Sequence, residues 1–187
     1  MKIGIISDTH DNMPKIAAAV RLFNGEHVDL VVHAGDFISP ITADKFAPLE
    51  SPFIGIFGNN DGERIYLTKR FEKIGTLYPD HREFEFDGKR GVVMHEPKFI
   101  DALVKSEVYD LVVYGHTHEI DIREGRTLVI NPGEACGWIS GRATVVILDT
   151  DTMSPQLIEI QQLLGRRGTQ ECCKAGKMST YHGLLDF

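Results

Sequence analysis

KIGIISDTHDN, residues 2 to 12, joins an almost unbroken apolar run to an abrupt polar cluster. The run from Lys2 to Ser7 reads as a strand buried on both faces, because a strand with one wet face would alternate. Behind it, Asn12 is a candidate helix cap, Pro14 suits a first turn, and Ile16, Ala19, Val20 and Phe23 recur at helical spacing. The next apolar run, DLVVH at 29 to 33, completes a strand, helix, strand unit. FIGIF at 53 to 57 and DLVVY at 110 to 114 have the same all-apolar character. Helices are expected at about 39 to 49 and 62 to 74, the second turning Ile65, Leu67 and Phe71 toward a sheet. The opening third therefore reads as βαβαβα.

After Tyr78 the pattern changes. REFEFDGKRGVVMH, residues 82 to 95, is two runs joined by Asp87-Gly88, a strong hairpin signal. A short helix is expected at 99 to 106, and IDIREGRTLVIN (120 to 131) and GRATVVILDTDTMSPQLIEIQQ (141 to 162) read as further hairpins. Alternating units followed by hairpins predict a mixed α/β fold, with two sheets packed face to face and helices outside. No linker interrupts the chain before about residue 164, so residues 1 to 164 are expected to form one domain. Residues 165 to 187 show no sustained period and read as a tail, either disordered or an oligomer contact.

A chain of 187 residues is long enough to bury a core without staples. Its net charge of −7 favours solubility and speaks against a nonspecific binder of long nucleic acid. The N-terminus is too short and too soon acidic for a signal peptide, and no apolar run reaches the roughly 18 residues of a membrane span. Three cysteines, two of them adjacent at Cys172 and Cys173, make no disulfide framework, so the cytoplasm is the expected compartment.

Each apolar run stops at a distinctive polar residue. The first ends at Asp8-Thr9-His10, the second at Gly35-Asp36, the third at Gly58-Asn59-Asn60-Asp61, the hairpin strand at His95, and the last at Gly115-His116-Thr117-His118. Each has an ordinary explanation. Asp36 suits a helix cap, Asn59 to Gly62 suits a turn, and a lone His95 suits a packed histidine. Two imidazoles two residues apart after a buried strand are harder to explain without something that binds them. In open α/β sheets ligands bind beyond the carboxyl ends of the strands, so five such ends can converge. Alternation in an extended chain predicts that Asp8 and His10 project together. His27 and His81 fall in expected loops, His182 in the tail, and His33 is at most a wall residue.

Gathered, Asp8, His10, Asp36, Asn59, His95, His116 and His118 form a nitrogen and oxygen donor set without cysteine, which suits manganese, iron, nickel or zinc. Seven donors exceed the need of one ion. Two divalent ions about 3.5 to 4 Å apart, sharing a carboxylate, would use them all and leave open positions for water and substrate. Two carboxylates against two divalent cations leave a surplus of roughly +2, which favours an anionic substrate such as a phosphate ester.

The ordered series D-x-H, GD, GN, a lone His and GHTH resembles that of the calcineurin-like metallophosphoesterase superfamily. GNND at 58 to 61 and INPGE at 130 to 134 are most similar to the small phosphodiesterases of bacteria and archaea related to Vps29. The resemblance covers about residues 1 to 160. It implies a four-layer αββα sandwich and two divalent ions, manganese first, with nickel, iron, zinc or magnesium as alternatives. It places Asp8, His10 and His118 on one ion, Asn59, His95 and His116 on the other, and Asp36 between them. Hydrolysis of a small phosphodiester by a metal-activated hydroxide would follow, cyclic nucleotides and nucleotide-derived diesters being within that class. The competing reading is a Vps29-like scaffold that holds protein partners, disfavoured because all seven ligand positions are filled.

Many superfamily members carry GNH, whereas Asn60 follows Asn59 here. An amide donates a hydrogen bond but supplies no proton at neutral pH, so diesters and good leaving groups are expected over alkyl monoesters. Asp61 is expected either to orient His10 or a metal water, or to serve as a cap. Asn131 and Gly133 are expected in a tight loop nearby, and Thr9 and Asn12 at the substrate. Exposed sheet edges are compatible with a homodimer or homotetramer.

Overall fold

A computed structural model describes residues 1 to 160. The first strand, β1 (Lys2–Ile6), leads into α1 (Met13–Gly25), whose N-terminus is closed by the Asn12 side chain accepting from the Lys15 N–H. Pro14 fills the first turn, where its missing N–H costs nothing. Ile16, Ala19, Val20 and Phe23 form the buried stripe that the spacing predicts.

The chain continues through β2 (Leu30–His33), α2 (Ala43–Phe46), β3 (Phe53–Ile56), α3 (Arg64–Phe71), β4 (Thr76–Tyr78), β5 (His81–Phe86) and β6 (Lys89–Met94). It ends with α4 (Ile100–Ser106), β7 (Leu111–Val113), β8 (Ile120–Arg123), β9 (Leu128–Pro132), β10 (Thr144–Asp149) and β11 (Ser154–Glu159). Six strands form one mixed sheet in the order β11-β10-β1-β2-β3-β4, and five form another in the order β5-β6-β7-β9-β8. Strands β1 to β4 run parallel, as do β6, β7 and β9, while the three hairpins expected from the sequence supply three antiparallel pairs and β10 adds a fourth by running antiparallel to β1.

Strand alternation divides the core into layers. Ile3, Ile5, Val32 and Ile56 of the first sheet meet Phe84, Val93, Leu111, Val113 and Ile130 of the second. The other face of the first sheet packs on α1 to α3 around Phe23, Phe37, Phe46 and Phe71, all wholly buried. Full burial of each such ring contributes about 1.5 to 3 kcal/mol. Val92, Val112 and Val129 cover the outer face of the second sheet against Ile100 of α4. The result is the αββα sandwich.

Several boundaries differ from expectation. The helix expected at 39 to 49 is a 3-10 turn (Pro40–Thr42) followed by the single turn α2, because the Thr42 N–H and hydroxyl both bond the Ser39 carbonyl and tighten the entry. The helix expected at 62 to 74 contracts to α3, and only Leu67 and Phe71 face the core; Ile65 is 83% exposed. The edge strand β4 escaped the sequence reading because three residues carry too little periodicity. His81 opens β5 instead of lying in a loop. The domain boundary at 164 and the tail at 165 to 187 lie outside the described residues. No described helix is long and apolar enough to cross a membrane.

Candidate metal centre

The carboxyl ends of β1, β2 and β3 point one way in the first sheet, and those of β6 and β7 bring theirs to the same place from the second. Hydrogen bonds stitch the ends together. Asp8 N donates to Gly35 O at 3.0 Å, Gly115 N to His95 O at 3.0 Å, and the His95 ring, through Nδ1, to Ala34 O of the opposite sheet at 2.8 Å.

All eight predicted site residues meet there. His118 Nε2 lies 3.5 Å and His10 Nε2 3.7 Å from Asp8 Oδ1. His10 Nε2 and His95 Nε2 each lie 3.4 Å from Asp36 Oδ2. Asn59 Oδ1 sits 2.8 Å from His95 Nε2 and 2.9 Å from His116 Nδ1. The donors thus form one series, His118, Asp8, His10, Asp36, His95, Asn59, His116, with Asp36 at its middle. Asn60 flanks it, its backbone N–H donating to Asp36 Oδ1 at 2.9 Å and its amide to Asp36 Oδ2 at 2.7 Å.

The local backbone, not strand alternation, aims these side chains. β1 ends at Ile6, and Asp8 (φ 51°), His10 (φ 37°), Asp36 (φ 63°), His116 (φ 71°) and His118 (φ 60°) all adopt left-handed conformations. Such conformations are costly for non-glycine residues and collect where a site needs side chains turned out of a regular path. The glycines before Asn59 and His116 answer a second demand. A Cβ on Gly58 would stand 2.0 Å from Asp36 Oδ1, and one on Gly115 would stand 1.9 Å from Ser7 Oγ.

Electrostatics agrees with a cation site. Asp8 and Asp36 are buried. Burial opposes ionisation of Asp36, yet its contacts with His95 and Asn60 hold it well below the usual carboxylate range. The nearby Asp8 carboxylate raises the His10 pKa against a burial penalty. Burial likewise lowers the His95 pKa, but the contact and charge of Asp36 outweigh it, for a net rise. Asp8 Oδ1 and His10 Nε2 are both buried without a hydrogen-bond partner. Such an acceptor pair, left unpaired, costs about 1 to 3 kcal/mol per group, and more for a charged one. A divalent cation fits that need, and Asp8, His10 and His118 place donors within 4.8 Å of one another, as do Asp8, Asp36 and His95.

Comparison with known proteins agrees with this geometry. Residues 1 to 153 match the calcineurin-like phosphoesterase superfamily domain. The chain belongs to the calcineurin-like phosphoesterase superfamily. A phosphodiesterase of Methanocaldococcus jannaschii is 42% identical over 156 residues, 81% of this chain and 94% of that protein. A probable metallophosphoesterase of Methanothermobacter thermautotrophicus is 33% identical over 144 residues, 71% of this chain and 76% of that one. The solved structure of an archaeal phosphodiesterase aligns with a TM-score of 0.81 at 41% identity, covering 85% of this chain and 99% of that one. Vps29 of Chaetomium thermophilum shares the fold alone, with a TM-score of 0.62 at 14% identity over 85% of this chain and 94% of its own.

This superfamily domain surrounds its donors with residues the sequence did not single out for a role. Glu134 is buried beside His118, its Oε2 lying 2.8 Å from His118 Nδ1. The same carboxylate accepts from Ile139 N, Ser140 N, Ser140 Oγ and Cys136 Sγ. Burial raises its pKa less than these donors, Ser140 and His118 foremost, lower it, and the balance is about 2. The Cys136 thiol is pushed up to about 12 by burial, so it stands as a neutral donor to the Glu134 carboxylate. Ser7 Oγ donates to Asp8 Oδ2 at 2.5 Å, and His116 N to the same oxygen at 3.1 Å. INPGE was visible in the sequence, but nothing local pairs Glu134 with a histidine 16 positions earlier.

Other expectations are revised. Asp61 serves the capping alternative as a loop anchor, with Oδ2 accepting from Asp36 N and Gly58 N and Oδ1 from Phe37 N and Ile38 N. Thr9 and Asn12 are buried and committed elsewhere. Thr9 Oγ1 donates to Asp36 O, and the Asn12 amide donates to Cys136 O. Asn131 lies within β9 and not in a loop; its amide donates to Gly115 O and Thr117 Oγ1 while its oxygen accepts from Gly133 N, just past the strand end. His33 is a buried wall residue, stacked 3.7 Å from Phe37, its pKa lowered by burial.

Proposed function

We propose that this chain is a two-ion phosphodiesterase acting on small phosphodiesters. Asp8, His10 and His118 would hold one divalent ion, Asn59, His95 and His116 the other, and Asp36 would be shared. Manganese is the first choice, since the donor set mixes imidazole with carboxylate and amide oxygen. The observation that carries the reading is the unbroken donor series centred on Asp36, with Asp8 Oδ1 and His10 Nε2 buried and unpartnered. The ions, when bound, would supply Lewis acidity to phosphoryl oxygens and acidify water.

The chain's own residues do the rest. Ser7 and the His116 N–H fix the Asp8 carboxylate through Oδ2, leaving Oδ1 free. Asn60 fixes the Asp36 carboxylate from the open side of the site. Because Asn60 has no proton to give, the leaving oxygen departs without help from that position, which favours diesters with good leaving groups. The hydrolase assignment is supported by membership of the phosphoesterase superfamily and by the phosphodiesterase relative at 42% identity. A cytoplasmic location is proposed with it, since the three cysteines suit a reducing compartment.

The test is to strip the metal, restore manganese, nickel, zinc or magnesium separately, and compare hydrolysis of bis-p-nitrophenyl phosphate with that of p-nitrophenyl phosphate. Diester turnover restored by metal is expected. No turnover with any metal, in folded protein, would return the chain to a scaffold role. Preference for the monoester would refute the argument from Asn60.

A further inference from the structure

A cavity of 720 Å³ opens directly beside the donor series, and Asn59 and His95 belong to both. Its volume falls within the roughly 300 to 1,000 Å³ of small-molecule sites. Val92, Met94 and Leu103 line it with apolar surface, and Phe57, Phe99 and Tyr109 add aromatic rings.

Phe99 stands out among these. It is 79% exposed, yet it is held at φ 62° immediately before α4, a conformation a bulky residue rarely adopts. An exposed ring in a strained backbone at the mouth of a cavity is costly to keep for stability alone, and strain of this kind gathers at ligand sites.

The lining holds three carboxylates, Asp80, Glu83 and Glu96, against the cations Arg64 and Lys98, and most of these charges have partners, Asp80 facing His81 at 3.3 Å. Lys98 pairs with Glu96 at 2.9 Å. Glu83 pairs with Arg90 at 2.9 Å and accepts from the Tyr109 hydroxyl at 2.8 Å. Arg64 lies over the Phe57 ring at 5.2 Å and donates from Nε to Asp61 O and from Nη2 to Gly58 O, which leaves guanidinium N–H groups for a further acceptor. A near-neutral apolar cavity with aromatic walls and a spare guanidinium edge suits an uncharged heterocyclic group carrying acceptors. It does not suit a polyphosphate.

We propose that this cavity is the specificity site for one ester arm of the substrate, and that the arm is a nucleoside whose base stacks on Phe99. The proposal rests on the phosphodiesterase reading, for a diester bound across the donor series must direct one arm past Asn59 and His95. The cavity is where that arm arrives.

The test uses two diesters with the same leaving group, thymidine 5′-p-nitrophenyl phosphate and methyl p-nitrophenyl phosphate, on the manganese-loaded full chain. The wild type should prefer the thymidine ester by at least tenfold in kcat/KM, within the range a single base stack supplies. Phe99→Ala should remove most of that preference through KM and leave the methyl ester within twofold. Leu103→Trp, which fills the cavity, should remove it too. Equal use of both esters by the wild type, or an equal loss on both in Phe99→Ala, would overturn the assignment.

Calorimetric titration with thymidine 5′-phosphate and methyl phosphate separates this outcome from failure of the catalytic reading. Tighter binding of the nucleotide by at least fivefold, lost in Phe99→Ala, supports the cavity even if neither diester is hydrolysed. In that case only the diesterase reading falls. Indistinguishable binding of the two phosphates overturns the cavity assignment.

Discussion

Replacing Glu134 by Gln removes one charge and almost no volume, so it isolates what the carboxylate does for His118. In the native site both oxygens face donors only: Oε1 takes Ser140 N, Ser140 Oγ and Ile139 N, and Oε2 takes the His118 ring, the Cys136 thiol and a longer 3.2 Å share of Ile139 N. A glutamine must turn its NH₂ toward one of these groups. Oε1 takes the shorter bonds of two backbone N–H groups, which cannot reverse, whereas Oε2 faces an imidazole that can change tautomer and a thiol that can rotate, so the amide nitrogen takes the place of Oε2 and meets His118 Nδ1. The ring Nδ1 must then accept, and the imidazole proton moves to Nε2, the atom 3.5 Å from Asp8 Oδ1. An Nε2 that carries a proton has no lone pair for a metal.

Loss of such a support typically weakens metal binding 10- to 100-fold, or about 1.4 to 2.7 kcal/mol. Equilibrium dialysis at graded free manganese, with ions counted by elemental analysis, should show Glu134→Gln losing one ion first while the other is retained. Far-ultraviolet circular dichroism checks that the fold persists. Wild-type affinity for both ions in the variant would refute the tautomer argument. Equal weakening of both would show that Glu134 acts on the loop as a whole.

Four further outcomes are expected. Asp36→Asn should lose at least one ion and most diesterase activity, since Asp36 Oδ2 faces both His10 and His95 at 3.4 Å; normal occupancy and rates would remove it from the centre. Asp61→Asn turns one acceptor toward two backbone N–H groups as a donor and should cost about 2 to 4 kcal/mol by urea unfolding, against no change if the anchor is dispensable. Gly115→Ala forces a Cβ to 1.9 Å from Ser7 Oγ and should cost about 1 to 3 kcal/mol, with Ser7→Ala recovering part of it in a double-mutant cycle. In a Cys172→Ser/Cys173→Ser background, Cys136 should resist a disulfide reagent at pH 8, because burial raises its thiol from 9.0 to about 12. A folded pKa above the unfolded one means the stabilisation is intact below pH 9 and lost as pH rises toward 12, so the unfolding midpoint relative to Cys136→Ala should fall across that interval.

The sequence revealed the centre's residues for a chemical reason and concealed its geometry for a physical one. Carboxylates, an amide and imidazoles behind apolar strands are improbable as packing, so their identities alone point to metal chemistry. Glu134 escaped because a glutamate in a loop is ordinary, and only the folded chain shows that it is buried and meets five donors. β4 escaped because three residues at a sheet edge carry no period.

The alternation argument gathered Asp8 with His10 although the extended chain it assumed stops at Ile6. His116 and His118 show where that reasoning fails. They sit two apart, as Asp8 and His10 do, and both adopt left-handed backbone, yet His116 turns Nδ1 to Asn59 at one end of the donor series and His118 turns Nε2 to Asp8 at the other. Equal spacing therefore serves convergence in one loop and divergence in the next. What decides between them is the partner of Nδ1, Asn59 from the opposite sheet for His116 and Glu134 just beyond the neighbouring strand β9 for His118. A two-residue histidine spacing after a buried strand thus argues for a metal site, but which end of the donor series each ring joins follows from the group that holds its Nδ1.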